Sequence, residues 1–368
     1  MRHRFLPALP SLSLGACLCL ASCAPRKQLP PPVYDLVAAA DSVRLSDTEI
    51  ADAIWLGGDR WALLAPQAKT VRIVDFGTKR VQALGRPGKD YLEPFALFRA
   101  GDTLYVDDWG KRRVTAWSLS GVMVSSLDAP APFRGALPRG RDAAGAWYAE
   151  LRPFPGPDGS GNLDSGVVVR WQAGTTSDTV HRLAPYQLER VTRNGGSRYE
   201  RLVFSGVDQW GVRPDGTVWI ARVIQNLLET CAPAHGDCVR GPPLPDQVLE
   251  VTIQDRDYFL QAFPADQRSL TEGIPFTIVK PPFEHAFTAA DGGIWLERSR
   301  MLTDSMRTYR SLRPDGTARM EVRIKNAQRI LGADPDHLLA IDPLVPGPGH
   351  RVLRYATPVV VDTATTNP

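Results

Sequence analysis

The chain has 368 residues, 43% of them apolar, with 31 glycines, 32 prolines and a formal net charge of +3. That near-neutral balance gives no electrostatic basis for binding nucleic acid. The length admits one large domain or two ordinary ones, and the wealth of turn formers argues for short elements joined by turns over long helices.

In chain order, residues 1–22 read as an export signal. "MRHRF" is a short basic stretch, and "LPALPSLSLGACLCLA" is an apolar run too short to read as a spanning helix. Removing Arg2 and Arg4 with this segment takes the net charge from +3 to +1. The quartet Leu20-Ala21-Ser22-Cys23 resembles the lipobox of bacterial lipoproteins. The resemblance implies that Cys23 receives a thioether-linked lipid and becomes the first mature residue, each buried methylene adding about 0.8 kcal/mol of membrane affinity. The alternative is an ordinary secretory peptide with an incidental cysteine. Ala24 follows Cys23, which resembles the sorting pattern of outer-membrane lipoproteins. The expected location is therefore the bacterial cell envelope, lipid-anchored at the outer membrane. Residues 23–32 are proline-rich and polar and read as a tether. No later run of eighteen apolar residues suggests a second membrane segment.

From residue 33 the chain repeats itself. "GDRWALLAPQAKTVRIVDFGT" and "GDTLYVDDWGKRRVTAWSLSG" share one design at an offset of 43 residues. The same turn followed by a hydrophobic–aromatic–hydrophobic step recurs, giving six equivalent positions: Ala62, Tyr105, Trp147, Trp219, Trp295 and Leu339. Their spacings are 43, 42, 72, 76 and 44. Three of these match a four-stranded propeller blade of about 40–50 residues. The long ones hold extra material, "PFPGPDGSGNLD" and "RNGGSRYER" in one, "CAPAHGDC" through "PADQRSLTEG" in the other. Within a unit, "FALFRAG", "TLYVDDW", "RVTAWSLS" and "VMVSSL" read as successive strands, innermost to outermost. "RPDGT" occurs identically at 213–217 and 313–317 and places glycine where a positive φ is needed. A single blade cannot bury both faces, so the units must stack radially, with the aromatics packed between blades. We expect an all-β, six-bladed β-propeller over residues 33–362, closed by an N-terminal strand from 33–46 joining the C-terminal blade. Residues 363–368 are expected to be a disordered tail.

Residues 85–121 resemble the NHL repeat of six-bladed propeller lipoproteins. The match is carried by Gly85-Arg86-Pro87-Gly88, Pro94, Leu104-Tyr105-Val106, Asp108, Arg112, Arg113 and Val114. It departs at Trp109-Gly110-Lys111, where that group often has a small residue and asparagine. "FTIVKPPFEHAFTAADGGIWLE" at 276–297 is similar to the same group. The resemblance implies fold and location and little about activity.

Of five cysteines, Cys17 and Cys19 leave with the signal and Cys23 is taken by lipid. Cys231 and Cys238, in a turn-rich octet, are expected to form a disulfide in an oxidising compartment. A metal pair with His235 is the competing reading, without a recognised zinc spacing.

Phosphate-binding, metalloprotease and nucleophile-elbow motifs are absent. The six histidines (His3, His181, His235, His285, His337 and His350) lie too far apart in sequence for a local metal pair. The basic turn "GKRRV" reads as a solvated face. What remains is the mouth of the central channel, where the innermost strands begin: near Asp52, Glu93, Arg134, Asp208, Glu284–His285 and Asn326. Six-bladed lactonases and gluconolactonase-like hydrolases hold a divalent cation there, and calcium takes six to eight oxygens at about 2.3–2.6 Å. Asp52, Asp208, Glu284 and Asn326 are the candidate donors for Ca2+. Glu284 and His285, adjacent on a strand, are expected to point to opposite faces; solvated rim residues or salt bridges are the plain alternative for the whole set. Two functions follow. One is a lipid-anchored, non-catalytic propeller that binds a protein, peptide or glycan partner, as a monomer. The other is a calcium-dependent lactonase or gluconolactonase-like hydrolase at the channel mouth.

Overall fold

The computed structural model describes residues 30–46, 49–133, 136–152, 165–193, 196–233, 237–344 and 349–360. The residues read as a signal peptide, Cys23, most of those read as a tether, Arg134, "PFPGPDGSGNLD", His235 and residues 361–368 lie outside them.

Six small antiparallel sheets form the blades of a propeller. Blade 1 runs Asp52–Gly57, Arg60–Ala65, Thr70–Asp75 and Arg80–Ala83, and blade 2 runs Pro94–Ala100, Thr103–Asp108, Arg113–Ser118 and Met123–Asp128. Blade 3 comprises Gly140–Arg141, Trp147–Leu151, Val167–Trp171 and Asp178–Arg182; blade 4, Gln209–Val212, Val218–Arg222, Leu227–Cys231 and Cys238–Arg240. Blade 5 comprises Phe283–Thr288, Ile294–Arg298, Met306–Leu312 and Ala318–Lys325; blade 6 begins with Arg329–Ala333, His337–Pro343 and His350–Ala356. Each first strand touches the first strands of the blades on either side, and that of blade 6 returns to blade 1, so the ring is closed.

Closure uses both ends of the chain. Asp41–Leu45 pairs antiparallel with His350–Ala356 and is the outer strand of blade 6. Val33–Asp35 adds a parallel fifth strand to blade 5, where Asp35 receives two bonds from the Arg323 guanidinium at 2.7 and 2.9 Å.

All six equivalent positions fall on the second strand of their blades. Five of them are buried, and Trp147 is half-buried. In blades 1, 2 and 4 these strands are buried along nearly their whole length, without the in–out alternation of a one-sided sheet, because neighbouring blades cover both faces. The hydrophobic clusters accordingly sit at the seams. Trp61, Leu63 and Val74 of blade 1 pack with Leu331, Leu339 and Val352 of blade 6, and Trp295, Tyr309 and Met320 of blade 5 pack with Ile330, Leu338 and Leu353. Approach at the first of these seams is so close that a Cβ on Gly332 would lie 2.7 Å from the Trp61 ring.

Two details differ from the sequence reading. The "RPDGT" segments are not equivalent in the repeat. One joins the first and second strands of blade 4 and the other joins the third and fourth strands of blade 5. Both are tight hairpins with glycine at positive φ, +84° at Gly216 and +82° at Gly316, so identical turns serve two places in a blade. "CAPAHGDC" belongs to a blade: Cys231 ends the third strand of blade 4, Cys238 begins the fourth, and the two are paired.

Among the described residues, two insertions, 183–208 and 241–282, each link an outer strand to the next inner strand and hence lie on the face where inner strands begin. The first holds a hairpin, Leu188–Arg193 with Gly196–Arg201. The second holds the helix Ile253–Gln261, started by a capping box between Thr252 and Asp255. The insertions are joined by a parallel bridge between Val203 and Phe276. Phe204 of the first packs among Phe259 and Phe276 of the second, with ring centroids about 6 Å apart.

Candidate functional site at the channel mouth

Strand register defines which residues meet at the mouth. In blade 5, Phe287 pairs with Trp295, and His285 pairs with Glu297. The same step gives Asp52 in blade 1, Ala96 in blade 2, Gln209 in blade 4 and Arg329 in blade 6. In blade 3 it gives Arg139, whose N–H donates to the Tyr148 carbonyl just ahead of the two-residue inner strand. Asp52, Ala96, Arg139, Gln209, His285 and Arg329 therefore form one tier. All but Arg329 line a central channel of about 690 Å³, whose walls also carry Trp55, Phe95, Phe98, Trp210, Trp219 and Phe287.

The tier is polar and its members are used unequally. His285 is half-buried, and its Nδ1 is buried without a hydrogen-bond partner among the described residues. Burial, and then the Arg329 and Arg139 guanidinium groups, push its pKa below the usual imidazole value against the pull of Asp52 and Glu297. His285 is thus a neutral imidazole near pH 7. Its partner Glu297 is 2% exposed and accepts from Arg307 and, at 3.4 Å, from Arg329. In blade 2 the residue in the place of Glu297 is Asp107, paired with Ala96. Asp107 is 1% exposed, and neither carboxylate oxygen has a partner among the described residues. Burial pushes its pKa well above the carboxylate range, opposed by Arg139.

The residues named from sequence separate into different roles. Asp52 stands in the tier, its carboxylate accepting the Ala53 N–H at 2.8 Å. Asp208 sits one residue before the tier with its carboxylate consumed: it accepts from the N–H groups of Ala184 and Val223 and from Arg222 Nη1 at 2.8, 2.9 and 2.7 Å. Arg222 in turn donates to Glu229 at 2.5 Å. Glu284 is the extra residue of a β-bulge, between Phe283 and His285. Its side chain is exposed, and the surrounding protein, then the Glu297 charge, raise its pKa. Phe95 is the corresponding bulge residue of blade 2 and is 55% exposed. Asn326 lies in the turn between blades 5 and 6, its backbone carbonyl accepting from Arg307. Glu93 pairs with Lys69 at 3.1 Å on the surface, a solvated pair of little energetic weight. Arg134 lies outside the described residues, and the tier position of its blade belongs to Arg139.

The four oxygen donors expected to share a calcium ion are therefore not assembled. The Asp208 carboxylate is saturated by three donors, and the Asn326 side-chain Oδ1, although buried without a partner among the described residues, belongs to the turn between blades 5 and 6 and not to the tier. Among the described residues no three carboxylate or imidazole groups at the mouth lie within ligating distance of one another. These residues do not fit the ion.

Sequence reasoning missed Arg139, Gln209 and Arg329 because the tier depends on register. Bulges at Phe95, Glu284 and Leu331 shift it by a residue in blades 2, 5 and 6, a two-residue inner strand leaves no periodic signal in blade 3, and in blade 4 the tier falls one residue past Asp208.

No protein-family profile matches the chain, and no curated protein matches it. Similar solved structures include virginiamycin B lyase from Staphylococcus aureus, 10% identical, covering 86% of this chain and 98% of that one at a TM-score of 0.44. The calcium-binding protein regucalcin from Agrobacterium tumefaciens is 11% identical, covering 89% and 97% at 0.42. A Bacteroides fragilis protein described as exported is 8% identical, covering 89% and 99% at 0.45. At such identities nothing of their activities passes to this chain. No helix among the described residues is long and apolar enough to cross a membrane.

Proposed function

We propose that this chain is a lipid-anchored, extracytoplasmic propeller that binds a protein, peptide or glycan partner on the face where its inner strands begin. One observation carries the reading. Leu92, Phe95 and Trp109 of blade 2 are 42, 55 and 50% exposed, and they flank the start of the inner strand and the end of the second strand on the face where the inner strands begin. Phe95 lines the channel, the Trp109 N–H donates to the Glu93 carbonyl, and Leu92 abuts Gly110. Arg112 stacks over Trp109 at 4.9 Å, giving the patch a cationic edge. Aromatic groups beside an arginine are the usual anchors of a binding surface. The joined insertions raise the opposite wall and expose Ile253 and Tyr258. A partner seated there meets Arg139, Asp52 and the exposed part of the His285 ring in the mouth, which fix orientation while the aromatic walls supply area.

A photocrosslinking residue at Phe95 or Trp109, with Asp102 on the opposite face as control, tests the surface. Adducts formed in situ from the first two positions alone support the reading; adducts from Asp102 alone, or from none, overturn it. The anchor rests on the lipobox-like quartet. Cys23→Ser is expected to move the protein from the membrane to the soluble fraction, and continued membrane association would remove the lipid from the proposal.

A further inference from the structure

The seam between blades 3 and 4 holds a constellation that the mouth does not use. Cys231 and Cys238 are bonded to one another across adjacent strands of blade 4, with Cα atoms 4.0 Å apart. His181, from the outer strand of blade 3, brings Nδ1 to 3.3 Å from Cys238 Sγ. The two sulfurs and a His181 ring nitrogen all lie within 4.8 Å of one another, the one such group among the described residues. We propose that, once the disulfide is reduced, these three side chains form a binding site for a thiophilic divalent cation such as zinc.

The chemistry balances. A dithiol reductant delivers two electrons and two protons, becomes a cyclic disulfide itself, and leaves two thiols. The cation then displaces both thiol protons and is held by two thiolates and one imidazole. Because Cys231 and Cys238 occupy directly paired positions, both side chains stay on one side of the sheet when the sulfurs separate. His181 is held independently by its own strand, opposite Val168. Its Nε2 faces Glu229 Oε2 at 3.7 Å, longer than a hydrogen bond; a small approach of the two groups on metal binding would hold the ring proton on Nε2 and leave the Nδ1 lone pair toward the sulfurs. A carboxylate behind a ligating histidine is the common support of a zinc site. Glu229 is itself fixed by Arg222 at 2.5 Å and Arg240 at 3.3 Å. Cys231 is buried while Cys238 and His181 are half-buried, which leaves a side open to reductant, cation and a fourth ligand from solvent. Two thiolates, one histidine and an open position suit zinc.

The test uses the full chain, reduced with a dithiol under argon, desalted, and titrated with Co(II) as a spectroscopic stand-in. The expected result is a thiolate-to-cobalt charge-transfer band saturating at one equivalent and abolished by one equivalent of Zn(II). The oxidised chain should give no band. Cys238→Ser should remove it, and His181→Ala should weaken cobalt binding by about tenfold or more, with circular dichroism confirming that both variants remain folded. A reduced chain without the band, or binding unchanged in His181→Ala, overturns the proposal.

Discussion

Asp208 offers the sharpest test of how the mouth is built. Its side chain is fully buried, and it accepts from Ala184 N–H, Val223 N–H and Arg222 Nη1. Those donors belong to the first insertion and to the end of the second strand of blade 4, so one carboxylate fixes the start of that blade. Removing one partner of a buried ion pair costs about 3–5 kcal/mol. Arg222 retains Glu229 at 2.5 Å and the Arg182 carbonyl at 2.9 Å, so its charge is not stranded, and Asp208→Ala belongs at the lower end, about 3 kcal/mol. At about 2 °C per kcal/mol this lowers the melting temperature by about 6 °C. Asp208→Asn keeps the shape but turns an amide N–H onto a donor, and should lose about 2 kcal/mol. Urea denaturation followed by tryptophan fluorescence, with and without added calcium, measures both. A loss below about 1 kcal/mol, or a calcium-induced stabilisation of the wild type that Asp208→Ala abolishes, would refute the assignment of this carboxylate to structure and return it to a ligand role.

Three further outcomes follow from the same geometry. Asp107 is buried without partners and its folded pKa is raised, so the unfolded chain sheds this proton first and stability falls as pH climbs from the ordinary carboxylate range toward the raised value. Asp107→Asn should therefore be more stable than wild type at pH 7 by about 1–3 kcal/mol, with the gap closing below about pH 4 in thermal melts; a gap independent of pH would contradict it. A Cβ on Gly206 would lie 2.3 Å from Val223 Cγ2 and 2.5 Å from Pro281 Cβ, so Gly206→Ala should cost about 1–3 kcal/mol and raise hydrogen exchange in residues 241–282 ahead of the blades. Arg310, 2% exposed, joins Glu321 of its own blade to Asp246 of the second insertion. Arg310→Ala should lose about 3–5 kcal/mol, and proteolysis should cut first in that insertion; first cleavage within a blade would contradict the attachment.

The pattern of buried second strands was plain before any coordinates. Leu104-Tyr105-Val106 and Val218-Trp219-Ile220 are apolar on consecutive positions because both faces of a blade are covered, and that run survives in every unit. Closure was legible for a related reason: "VYDLVAAADSVRLS" has strand-forming residues and no partner of its own near the N-terminus, and the last unit supplies only three strands. The Cys231–Cys238 bond was legible because two cysteines around a tight turn have few other options. The mouth was legible only in outline. Asp52 and His285 stand in the tier, but the sequence does not distinguish a carboxylate facing open space from one already holding two amides and a guanidinium, as Asp208 does.

Residue type and local period are properties of short stretches, and they sufficed for strand, turn, blade number and the meeting of the two termini. Which side chains converge is set by register across the ring, and a one-residue bulge at Phe95 or Glu284 moves a tier without changing the apolar pattern. The approach of His181 to Cys238, across 57 residues and a blade seam, and the docking of Phe204 on Phe259 follow from how whole sheets pack against each other. Only the folded ring supplies those distances, because no local preference of the chain encodes a contact between surfaces that must first be built.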